Sequence, residues 1–346
     1  MFNPGKENHP TVYTMAAMKV TEAMLNLTNE LIQRKEVADS TANAYVKSLY
    51  ILNGKVPFKT LSFLKDFATI DGIISGYADN TQKALYTTIA SVLSLYSDKP
   101  TYKKAYAYYY DKMMGKAKDM KAAETSDKTP KESENWLSWT DVQKKETEIR
   151  DDVEKFVDNK HITPEQFGLL LHWVVLSLYT QIQPRRNQDY LDMFVVKKWK
   201  DTMSTDKNYL DLATQQFVFN KYKTQKTYGV QKLAVPDALM RVINLYLKHH
   251  PLSKGNKAKA TEYKFLVFAD GSPLTAVNAI TRILNRVFGR KIGSSALRHI
   301  FLSNKYDIKG MEEDAEAMGH SVDEQRKYLR KEGGGESDIS LVIHEC

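Results

Sequence analysis

A mainly α-helical chain with a small antiparallel β-sheet, divided into two domains, follows from three observations. The chain has 346 residues, of which 42% are hydrophobic. That is enough for two cores, and more than one core normally organises at this length. Apolar residues recur at helical spacing along most of the sequence. The exception is "GKAKDMKAAETSDKTPKESEN", which is rich in Lys, Glu, Ser and Thr and has no aliphatic period. It reads as a linker over residues 116–134. A helical domain over 1–115 precedes it, an α+β domain over 135–335 follows, and a tail over 336–346 closes the chain. The three short strand candidates all lie after the linker.

Taken in order, "AMLNLTNELIQR" places Met24, Leu27, Leu31 and Ile32 on one helical face. "DSTANAYVKSLYILN" opens with the capping types Asp39 and Ser40 and aligns Tyr45, Leu49 and Leu52. "NTQKALYTTIASVLSLY" aligns Leu85, Ile89, Val92, Leu93 and Tyr96, and Pro100 ends it or begins the next helix. "TYKKAYAYYYDKMM" interleaves tyrosines with lysines. That pattern can stack bases and contact phosphates; a helix packing its tyrosines on a core with lysines in water fits equally well. Beyond the linker, "WLSWTDVQKKETEIRDDVEKF" resumes the helical period. "ITPEQFGLLLHWVVLSLYT" carries a capping box, with Thr163 as N-cap, Pro164 at the first helical position and Gln166 reaching back. Its body is apolar on every side, as a buried helix requires. The strand candidates are "LDMFVVKKW", "QQFVFNKYK" and "VQKLAVP". Helices follow around "DALMRVINLYLKHH", "TAVNAITRILNRVFG", "SALRHIFLSNKY" and "MEEDAEAM". No internal repeat is present.

The formal net charge is +8, which favours a polyanionic partner such as nucleic acid. The single cysteine, Cys346, excludes disulfides within the chain and cysteine-based zinc sites. No apolar run reaches membrane-spanning length, and "MFNPGKENHP" lacks a signal-peptide core, so an intracellular protein with no membrane partner is expected.

Four clusters carry chemistry. The buried helix runs into "TQIQPRRNQDY", where Arg185 and Arg186 leave an apolar element. An arginine there needs an acid or an anion, and Asp189 stands three residues after Arg186, able to hold its guanidinium. "NKYKTQKTYG", between two strand candidates, offers Lys221, Lys223 and Lys226 to a phosphate; a solvated basic hairpin is the plain alternative. In "SSALRHIFLS", Leu297, Ile300 and Phe301 face the core, Arg298 projects from another side, and Ser295 lies three residues before it. His299 is expected to be a packed structural histidine. Finally, Gly319 stops a short helix just before His320, and Tyr328 follows among Arg326, Lys327, Arg330 and Lys331.

The order Arg186, hairpin lysine, Arg298, His320, Tyr328 resembles the tyrosine recombinases, the phage-integrase family. Its signature is an Arg-x-x-Glu/Asp ending a buried helix, a β-hairpin lysine, a His-x-x-Arg-His helix, a Gly-His and a nucleophilic tyrosine. The resemblance covers residues 136–335. The N-terminal helices look like the family's core-binding domain, and "PRR…DY" is similar to integrases of eukaryotic DNA viruses, virophages and related mobile elements. Two departures stand out: Ser295 occupies the place of the family's histidine, where type IB topoisomerases carry lysine, and His320 and Tyr328 are eight residues apart instead of about nine.

The resemblance implies a two-domain clamp on double-stranded DNA. It implies a homotetramer on paired sites, and action in a host nucleus or cytoplasm without cofactor or metal. In its terms Arg186, Arg298 and His320 hold the phosphate, Tyr328 attacks it, and Lys223 protonates the leaving oxygen, with Asp189 and Ser295 in support. Three alternatives stand beside it: a DNA-binding relative with a decayed site, a type IB topoisomerase-like enzyme, or a helical RNA-binding or scaffold protein whose motif order is accidental. The "GGG" run and "ISLVI" suggest a tail that docks on a neighbouring subunit.

Overall fold

The computed structural model describes residues 19–123, 128–253, 261–306 and 309–311. The chain divides into two compact units, Met1–Asp127 and Lys128–Cys346, with the division inside the expected linker. Much of that linker is nevertheless helical. The last helix of the first unit runs on to Ala122, and another begins at Pro130. Its lack of aliphatic period reflects exposure: Lys116 pairs with Asp79 at 2.7 Å instead of packing.

The first unit holds α1 (Glu22–Lys35), α2 (Asp39–Leu52), α3 (Phe67–Ser75), α4 (Asp79–Leu93) and α5 (Pro100–Ala122). Met24, Leu27, Leu31, Leu49, Leu52, Ile89 and Val92 form its core, as their helical spacing requires. The cap of α2 differs from expectation. Ala38 is the N-cap, without a side-chain bond, and Asp39 lies inside the first turn, where its charge still suits the helix dipole. Pro100 begins α5. The tyrosines of α5 divide: Tyr109 is fully buried and donates to the Leu64 carbonyl at 2.9 Å, whereas Tyr110 is exposed.

The second unit opens with α6 (Pro130–Asn135), α7 (Trp139–Glu154) and α8 (Pro164–Thr180). The capping box at Thr163 and Gln166 forms as the sequence predicts. The next helices are α9 (Asn187–Leu191), α10 (Gln225–Tyr228), α11 (Asp237–His249), α12 (Ala279–Phe288) and α13 (Ser294–Lys305). The strands are β1 (Met193–Val196), β2 (Asn208–Asp211), β3 (Gln216–Phe219), β4 (Gln231–Ala234) and β5 (Glu262–Lys264). The central helix α8 packs against α7, α11, α12 and α13. Burying each of its leucines and valines contributes roughly 1.5–3 kcal/mol.

The sheet, in the order β4-β3-β2-β1-β5, is mixed, not antiparallel, because β1 pairs with β2 in parallel, Met193 opposite Asn208. A parallel pair needs a crossover, and residues 197–207 supply it. Trp199 and Met203 of that crossover pack on Phe194, Val196, Tyr209 and Val218. The opposite face, with Val195, Leu210, Phe217 and Phe219, joins the main core. With both faces covered, β1 and β3 read as largely apolar runs. Among the described residues, no helix is long and apolar enough to cross a membrane.

Candidate functional site

An open hollow of about 300 Å³ lies where α8 ends. Arg185, Arg186 and Asp189 come from the turn into α9, Tyr222, Thr224 and Tyr228 from the β3–β4 hairpin, Gln231 and Leu233 from β4, and Arg298 from α13. Arg186 and Arg298 are therefore brought together.

A polar brace behind the hollow accounts for this. Tyr179 of α8, fully buried, donates to Asn187 Oδ1 at 2.8 Å, and Asn187 Nδ2 donates to Thr281 of α12 at 2.9 Å. Burial pushes the Tyr179 phenol well above its ordinary pKa, so it stays a donor. Gly293, at the head of α13, packs so closely on Thr281 that an added Cβ would stand 3.3 Å from its methyl. The brace thus fixes both the residue after Arg186 and the start of the helix bearing Arg298. Sequence reasoning missed it, because Tyr, Asn and Thr at such distances carry no periodic signal.

The carboxylate partner is not the expected one. Asp189 accepts from Arg185 Nε at 2.9 Å, four residues away, and not from Arg186. Arg185 also donates to Gln231 Oε1 at 2.8 Å and lies 3.8 Å from the Phe219 ring centroid and 5.1 Å from that of Tyr222. Its side chain is 15% exposed and that of Asp189 3%. Burial raises the Asp189 pKa, against the pull of Arg185, Arg186 and Arg298. Its Oδ1 has no hydrogen-bond partner among the described residues, which explains why burial wins. The Arg186 side chain makes no hydrogen bond or ion pair among the described residues; its backbone carbonyl accepts from the Asp189 amide at 3.0 Å. Arg298 has a long bond, Nε to the Ser294 carbonyl at 3.4 Å. Both guanidiniums keep donors for a ligand.

The hairpin lysines separate. Lys221 stands 3.7 Å from Asp192. Lys223 is exposed and does not itself line the hollow, although its neighbours Tyr222 and Thr224 do. Ser295, the second residue of α13, is exposed and away from the lining. His299 is also exposed, correcting the expectation of a packed side chain; with Leu297 and Ile300 turned to the core, its place on α13 faces solvent. Leu297 and Ile300 are buried, whereas Phe301 is half-buried against Trp139. His320, Tyr328 and the tail over 336–346 lie outside the described residues.

Against this geometry, comparison with protein-family models gives no match, and comparison with curated proteins gives none either.

Proposed function

We propose that the chain is a tyrosine-type site-specific DNA recombinase. In this reading the hollow binds a DNA phosphodiester, and the two units clamp double-stranded DNA and assemble as a homotetramer on paired sites. The observation that carries the proposal is the convergence of Arg186 and Arg298 beside the hairpin, with the nearby carboxylate engaged by Arg185. Two guanidiniums without an ion-paired carboxylate among the described residues suit an anion with several acceptor oxygens, and their charge does not titrate away.

In the proposed reaction, the Tyr328 oxygen attacks phosphorus and its proton passes to solvent. The bond to the 5′-oxygen breaks, and that oxygen takes a proton from Lys223. A 3′-phosphotyrosine and a 5′-hydroxyl result, and a 5′-hydroxyl from another strand reverses the step without an external energy source. Arg186, Arg298 and His320 stabilise the charge developing on the non-bridging oxygens, and such donors are typically worth ~3 kcal/mol each. Cations around Tyr328 favour the phenolate.

Lys223 and Ser295 both stand off the lining, and this favours one second reading, a relative that binds DNA without cleaving it. A nicked suicide substrate decides between them. Wild type is expected to form a covalent adduct, and Tyr328→Phe to bind DNA without forming one. An unreactive wild type means the binding-only reading, and an adduct from the variant moves the nucleophile elsewhere, Tyr306 being the first alternative.

A further inference from the structure

Arg185 is bound far more than an ion pair with Asp189 requires. Its guanidinium touches two chain segments. On the α9 side Nε donates to Asp189, and on the sheet side a terminal nitrogen donates to Gln231 of β4. The flat face lies over Phe219, the last residue of β3, and reaches Tyr222 in the turn. These three residues bracket the hairpin from both strands. Tyr222 is itself closed onto the far side of the turn, because its hydroxyl donates to the Gly229 carbonyl at 2.8 Å. Lys223 is the next residue, so its backbone follows Tyr222 while its side chain reaches solvent.

We propose that Arg185 is a positioning residue: it clamps the β3–β4 hairpin to the arginine corner and thereby sets where Lys223 stands relative to the hollow. What Lys223 does there rests on the recombinase reading; the clamp does not. A lysine at 185 keeps a cation for Asp189 but loses the planar fork that serves Gln231 and the two rings together. Gln231→Leu leaves the Arg185–Asp189 pair intact and cuts the tie to β4.

The test separates proton donation from everything else. With an ordinary strand, the departing 5′-oxygen needs a proton. With a bridging 5′-sulfur, the phosphorus–sulfur bond breaks and the thiolate leaves with the electron pair unaided, since thiols are far more acidic than alcohols. Full-length wild type, Arg185→Lys, Gln231→Leu and Lys223→Ala are compared on both strands, and hydrogen exchange is followed for the amides of residues 220–230. A general acid is worth about 10²-fold or more. Arg185→Lys and Gln231→Leu are expected to lose roughly tenfold or more of the adduct rate on the oxygen strand. As with Lys223→Ala, most of that loss should disappear on the sulfur strand, and the hairpin amides of the two clamp variants should exchange faster. Equal losses on both strands, or unchanged hairpin exchange, overturn the proposal. If wild type reacts with neither strand, the recombinase reading falls. Hairpin exchange then decides the clamp alone: faster exchange in both variants sustains it, and wild-type exchange ends it.

Discussion

In the N-terminal unit, Asp71 collects the hydroxyls of Tyr86 and Tyr108 and the ammonium of Lys112 at 3.2 Å. In the C-terminal unit, Asp189 takes one arginine of an adjacent pair and leaves the other, with Arg298, facing a hollow. The two clusters look alike in kind, with cations and tyrosines gathered around an acid. They differ in what is left over. Around Asp71 the donors are matched by protein acceptors, so a pattern that reads as nucleic-acid binding is partly internal wiring. At the arginine corner, cationic donors exceed the acceptors that the described residues offer them, and that surplus distinguishes a binding site from a brace.

The largest effect expected to test this contrast is on stability. Asp189→Ala leaves Arg185 buried without its acid and should cost about 3–5 kcal/mol. Asp71→Ala leaves Tyr86 buried but lets Tyr108 and Lys112 turn to water, so it should cost only about 1–2 kcal/mol. Urea unfolding measures both; equal costs would erase the distinction. All four tryptophans, Trp136, Trp139, Trp173 and Trp199, belong to the C-terminal unit, so their fluorescence reports that unit by itself.

Next come Arg186→Ala and Arg298→Ala. Each should lower adduct formation about 10²–10³-fold, with stability changed by no more than ~0.5 kcal/mol. Lys112→Ala should leave the adduct rate alone. A large loss of stability in Arg186→Ala would mean that the arginine is structural after all.

A pH titration sharpens the comparison further. Burial lowers the His250 pKa from 6.5 to about 4, with its Nε2 3.1 Å from the Phe265 carbonyl and its Nδ1 accepting from the Leu252 amide. The neutral ring is the folded form. Its stability contribution is complete above pH 6.5 and is lost as pH falls through 4, on the order of 3 kcal/mol. The N-terminal unit has no histidine among its described residues. Tryptophan-detected stability should therefore drop across this window, and His250→Gln should flatten the drop. The smallest effect is expected for Ser295→Ala. The side chain is exposed and off the hollow, so stability should move by less than ~0.5 kcal/mol and the adduct rate should hold. A large rate loss would bring Ser295 into contact with the phosphate.

Legibility in the sequence followed the physics of each segment. The Thr163–Gln166 capping box and the uninterrupted apolar body of α8 declared themselves because capping and burial are local. So did the antiparallel pairing of β3 with β4. The strand β2, "NYLD", did not, because Asn208 and Asp211 are buried polar residues. Asn208 bonds the backbone of Asp189 and Lys221, and Asp211 accepts from Ala213 and Thr214. Asn208 is compensated by partners that only the fold brings near, and Asp211 by the turn that follows it. Asp189 was assigned to Arg186 because spacings of three and four are both one helical turn. The choice of Arg185 comes from the aromatic rings and Gln231, which lie on other segments.

The antiparallel pairing of β1 with β5, far along the chain, has a consequence for synthesis on the ribosome. One edge of β1 is covered by β2, and the other is closed by β5, with Val196 opposite Glu262. Every residue between those two must be translated before the second edge is sealed. During that interval Phe194 and Val195 present free backbone groups and apolar side chains, a template on which another nascent copy can pair. Chains halted before Glu262 should therefore be the form most prone to stick to one another, and slower translation through α11 should lower the soluble yield.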